Sequence, residues 1–119
     1  MDAMLEKLKE YGADVDGAME RFLGDETLYK TCFMIFLDDA AFQQLGDALL
    51  AMDYKKAFES AHTLKGVAGN MGLTPIYKLI CNIADALRKN EYSALQDCYA
   101  EIIDQHDKLK DLSAVFNIS

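Results

Sequence analysis

Two histidines occur in this chain of 119 residues, and one of them sits among residues that could put an imidazole to chemical use. His62 lies in the stretch DYKKAFESAHTLKGVAGNM, with Lys65 three positions on, Gly66 four on and Gly69 seven on. At about 100° per residue these positions share one face of a helix. A neutral imidazole is a nitrogen nucleophile, and a phosphoryl group taken onto it needs a cation to balance its charge. Lys65 stands one turn away, where its ammonium can reach such a group. A glycine inside a helix costs about 1 kcal/mol relative to alanine, so two beside an exposed histidine need a reason. Neither falls on the apolar stripe of the segment. A face without side chains lets a partner surface approach the ring.

The helix must aim that face outward. Tyr54, Ala57, Ala61, Leu64, Ala68 and Met71 form one apolar stripe, and His62 lies about 120° from its centre, which predicts a solvent-facing ring. His106 is the contrast. It lies beside the core stripe of the last helical segment, with no glycine clearing around it, and reads as structural or incidental.

Six segments carry helical periodicity. A short amphipathic piece covers residues 2–11 and stops at Gly12, and a second runs over 14–23 from an Asp14 cap. Gly24 breaks the chain, and Asp25-Glu26 begin a helix to about residue 51 that would be about 40 Å long. The histidine helix spans 53–71. Its stop is marked by Gly72, with Thr74 capping the next helix and Pro75 in its first turn. That next helix, 75–89, carries Ile76, Leu79, Ile80, Ile83 and Leu87 on one stripe. The last, 92–115, carries Leu95, Cys98, Tyr99, Ile102 and Leu109. With a single proline and seven glycines for punctuation, the expected fold is all-α: an antiparallel up-down four-helix bundle with one or two extra short N-terminal helices. It would form one domain over 1–119, with residues 1–24 packed across one end of the bundle built by 25–115. Asp38-Asp39 point about 100° apart on such a helix and read as a solvated face, not as paired catalytic carboxylates.

Composition narrows the partners. A formal net charge of −8 argues against nucleic acid and anionic membrane surfaces, both of which need a basic footprint. No run is long enough to span a bilayer, and the N-terminus lacks a basic region followed by an apolar one. Cys32, Cys81 and Cys98 are an odd number of thiols without zinc-ligand spacing, read as buried and reduced, which fits the cytoplasm. There is no glycine-rich phosphate loop, zinc-protease helix or calcium loop.

The segment Ala61-His62-Thr63-Leu64-Lys65-Gly66, followed by Gly72, resembles the signature of histidine-containing phosphotransfer (HPt) domains. Phe22-Leu23-Gly24-Asp25-Glu26 leading into Leu37-Asp38-Asp39-Ala40 is similar to the preceding helix of that family, so the likeness runs from about residue 15 to 113. The resemblance implies a phosphorelay intermediate that accepts a phosphoryl group on His62 from a receiver-domain aspartate and passes it to another receiver. It implies Lys65 as the phosphate-stabilising cation, Gly66 as the clearance residue and Arg88 as a contact to the incoming receiver. It also implies response-regulator receivers or a hybrid sensor histidine kinase as partners of a monomer. No cofactor is expected in this chain, magnesium would come with the receiver, and no kinase or hydrolase activity of its own is expected. Some members hold the imidazole with a polar side chain from the next helix. Here Ala84 stands at that position, leaving Glu59, one turn before His62, as a candidate.

Two other readings share this fold. One is a helical adaptor without phosphotransfer, which would have no need of both His62 and Lys65. The other is the phosphoacceptor domain of a chemotaxis-type histidine kinase, phosphorylated directly by an ATP-binding domain. In the phosphorelay reading docking would surround His62, with Gly66, Gly69, Arg88 and Glu59 as docking residues, and draw on whichever of Met34, Ile35, Phe36 and Leu37 face outward.

Overall fold

Short carboxylates start three of the helices. In the computed structural model, which describes residues 3–116, Asp14, Asp25 and Asp53 each accept a hydrogen bond from the backbone N–H three residues on, at 3.1, 2.9 and 3.2 Å. They cap α2 (Val15–Arg21), α3 (Glu26–Leu37) and α5 (Tyr54–Asn70), satisfying donors that a helix leaves orphaned. Before them, α1 (Ala3–Tyr11) buries Met4, Leu5 and Leu8. Residue 2 and the two chain ends of the expected 1–119 domain lie outside the described residues.

The segment 25–51 is not one helix. It forms α3 and α4 (Ala41–Leu50), separated at residues 38–40. The Asp39 carboxylate accepts from the Ala41 N–H at 2.8 Å, so a short polar side chain competes with the helical ladder, as aspartates do. From the far end of the chain, the His106 imidazole hydrogen-bonds the Leu37 carbonyl at 2.7 Å and stacks on Phe42 at 3.8 Å between centroids. The carbonyl orphaned by the break thereby finds a donor. Asp38-Asp39 are thus a helix break rather than a charged helix face.

Gly72 ends α5 in the left-handed region, at φ +69°. A Cβ there would also lie 2.5 Å from the Asp14 carbonyl oxygen, and the Asp14 N–H donates to the Gly72 carbonyl at 2.8 Å. Glycine is needed on both counts. The next helix, α6 (Thr74–Arg88), has Pro75 in its first turn, as expected. Thr74 is not its cap. It is already helical, and its hydroxyl donates backward to the Gly72 carbonyl at 3.3 Å. The last helix, α7 (Leu95–Phe116), starts three residues later than position 92. Tyr92 instead leaves the helical path to stack on Tyr54, centroids 3.8 Å apart.

Among the described residues the secondary structure is helical throughout. The α3–α4 arm, α5, α6 and α7 form the bundle, consecutive helices packing as neighbours and α7 closing against α3 and α4. Tyr29, Phe33, Phe36, Leu45, Leu64, Ile76, Ile80, Ile83, Ile102 and Leu109 fill the interior. α1 packs on α7 and α2. α2 also serves α5: Arg21 donates to the Asn70 and Gly69 carbonyls at 2.8 and 3.2 Å, a cation at a helix C-terminus.

Burial, the larger effect, pushes the His106 pKa below its ordinary 6.5, against the opposing pull of the Leu37 hydrogen bond. The unfolded chain therefore takes the proton more readily. The stability that His106 adds is whole above about pH 6.5 and falls as pH drops toward the folded value. His106→Phe keeps a ring on Phe42 but leaves the Leu37 carbonyl without its donor. We expect a loss of about 1–3 kcal/mol at pH 8 in urea titration, with the wild-type advantage shrinking as pH is lowered to 5.

Candidate functional site

α5 is shared between core and solvent. It buries Ala57, Ser60, Ala61, Leu64 and Ala68, and the next residue after Ala61, rotated by about 100°, is exposed His62. Small residues on the buried stripe let neighbouring helices come close, while the opposite face stays free for the histidine. Tyr54, at the edge of the stripe, is half-buried under Tyr92.

Among the described residues, the imidazole makes no hydrogen bond or ion pair. The ring meets Phe58, a turn earlier, with centroids 5.9 Å apart and planes inclined by 20°. Lys65, a turn later, is half-buried, and no described carboxylate pairs with its ammonium. A Cβ built at Gly66 would meet nothing within 4 Å. His62, Lys65 and Gly66 therefore form one continuous surface: a free imidazole, an unneutralised cation and an open stretch of backbone.

Gly69 belongs elsewhere. A Cβ there would lie 2.9 Å from Tyr77 Cε1 on α6, so helix packing does explain this glycine, contrary to the clearance reading. Glu59 is exposed and lines a cleft against α4 together with Asp39, Gln44, Lys56 and Thr63. It makes no hydrogen bond to His62, and the orienting role drawn for it has no support in the geometry. Ala84 is buried at 4% exposure, and its methyl offers no polar contact.

Arg88 ends α6, exposed, with its guanidinium 2.7 Å from Asp85. A surface pair of this kind holds weakly, by about 0–1 kcal/mol, so the guanidinium can exchange partners. Of residues 34–37, Phe36 and Leu37 are buried and Met34 is half-buried, leaving Ile35 at 66% exposure. The three cysteines are half-buried and unpaired by disulfides, not fully buried. Phe58 was missed in the sequence, although its i, i+4 spacing to His62 is the ordinary signal for a side-chain pair on a helix.

Residues 35–112 match the family model of the Hpt domain, and the chain belongs to that family. No curated protein and no solved structure matches it. Hpt domains carry out histidine phosphotransfer in phosphorelays and interact there with receiver domains and kinases. Among the described residues no helix is long and apolar enough to cross a membrane.

The two glycines should answer differently to the same change. Gly66→Ala adds a methyl to open space on a helix and should raise stability by about 1 kcal/mol. Gly69→Ala must displace the Tyr77 ring, and we expect no gain or a net loss. Urea midpoints of the two variants, at unchanged slope, check the contrast.

Proposed function

We propose that His62 is the phosphoryl-carrying residue of this Hpt domain, taking the group from the aspartate of one receiver domain and giving it to another. One combination supports this reading: an exposed imidazole that no polar group among the described residues engages, beside a Lys65 ammonium that no described carboxylate pairs and open backbone at Gly66. A surface histidine with an incidental role needs none of these together.

The chemistry follows from what each atom can do. A lone pair on a ring nitrogen of neutral His62 attacks the phosphorus of the receiver's aspartyl phosphate. The N–P bond forms as the P–O bond to the aspartyl oxygen breaks, and that electron pair leaves with the carboxylate. The proton on the other ring nitrogen passes to water. Lys65 offsets the charge spread over the three phosphoryl oxygens, an electrostatic role suited to this kind of transfer. Onward transfer runs the same step in reverse, with the second receiver's carboxylate as nucleophile and a proton returned to the ring. Magnesium, in this reading, belongs to the receiver. The chain is then a monomeric carrier rather than a kinase, and three free thiols fit an exchange in the cytoplasm.

Incubation with a receiver domain carrying labelled aspartyl phosphate tests the reading. Wild-type protein should gain acid-labile, base-stable label, and His62→Gln should gain none. Lys65→Ala should slow transfer by about tenfold or more while leaving the fold intact, as expected for loss of one charge-stabilising group. Absence of label on wild type, or equal label on His62→Gln, contradicts the assignment. Label accepted only from a kinase ATP-binding domain would replace the receiver as donor.

A further inference from the structure

An imidazole that attacks phosphorus through a nitrogen lone pair must present that nitrogen in a defined direction. The lone pair of the reactive nitrogen and the N–H of the other both lie in the plane of the ring. A hydrogen-bond partner fixes the plane by occupying one nitrogen, and among the described residues no such partner is in place. The register of the α5–α6 hairpin, which sets Gly69 against Tyr77 and Tyr54 against Tyr92, brings position 84 opposite position 62. That position is a buried alanine. Glu59 faces the cleft toward α4.

What does meet the ring is Phe58, at 5.9 Å and 20°. The two side chains are four residues apart on one helix, and Phe58 is anchored, half-buried and packed against the hydrophobic core. A roughly parallel aromatic neighbour limits ring rotation from one face. It forms no hydrogen bond to either nitrogen, and His62 stays exposed to a partner. Stacking therefore orients the ring without consuming the group that reacts.

We infer that Phe58 is a positioning residue for His62, holding the plane in which the phosphoryl group must arrive. The inference rests on the phosphotransfer reading of His62. It differs from a docking role for Phe58, because the effect is exerted on the imidazole before any partner binds. A near-attack geometry set in advance shows in the rate of the chemical step.

Two substitutions separate the possibilities. Phe58→Leu keeps apolar bulk against the core and removes the aromatic face, whereas Phe58→Tyr keeps the stack. Transfer is measured from a phosphorylated receiver and from the small donor phosphoramidate, which needs no docking surface. Phe58→Leu should lower the maximal rate about fivefold from both donors and leave half-saturation by the receiver within twofold. Phe58→Tyr should stay within twofold of wild type throughout. In the free protein, NMR should show cross-relaxation between the two rings, and the ordering of the His62 ring should fall in Phe58→Leu. An unimpaired Phe58→Leu, a loss confined to receiver half-saturation, or a His62 ring equally mobile in wild type and variant would overturn the inference. Wild-type protein unlabelled by the phosphorylated receiver would instead overturn the phosphotransfer reading itself.

Discussion

The apolar stripe of α5 is the constraint on which the rest depends. Ala57, Ser60, Ala61, Leu64 and Ala68 are buried, and a helix that buries this stripe has no freedom about where His62 points. Residues 61 and 62 differ by about 100° around the axis, so sealing one into the core exposes the other. The small side chains on the stripe let α4 and α6 close in on both sides. The rigidity of the site is thus the rigidity of helix packing, and no loop is needed to hold it.

The ends of α5 receive separate support. Asp53 caps the N-terminus, Arg21 reaches across from α2 to the last carbonyls, and Gly72 turns the chain where the Asp14 carbonyl leaves no room for a Cβ. The Tyr29 hydroxyl adds a buried hydrogen bond to the Met71 carbonyl at 2.8 Å. Each contact satisfies a backbone group that would otherwise be orphaned. Together they join the N-terminal helices to the helix that bears the histidine.

Much of this was legible because it is local. Periodicity placed α5 and α6, and the face shared by His62, Lys65 and Gly66 followed from helix geometry alone. What was not legible depends on residues distant in sequence. The break at 38–40 is invisible to a periodicity that continues through it. It becomes intelligible once His106, 69 residues away, takes the Leu37 carbonyl. Gly69 looked like clearance because its neighbour Tyr77 lies across a turn, and nothing in the spacing on α5 announces that ring. Glu59 was one turn from His62 in sequence, but its face leads into the α4 cleft. Phe58 is the reverse case, a neighbour at readable spacing hidden by the expectation that a polar group must orient an imidazole.

The central claim concerns a single atom pair, a ring nitrogen of His62 bonded to phosphorus. The direct measurement is phosphorus–proton correlation NMR on the protein after transfer from a phosphorylated receiver, with the two histidine rings assigned. The account predicts one phosphoramidate signal, coupled to the ring protons of His62 and absent from those of His106. A phosphorus signal coupled to the His106 ring, or one with the shift of a carboxyl or hydroxyl phosphoester, would contradict it.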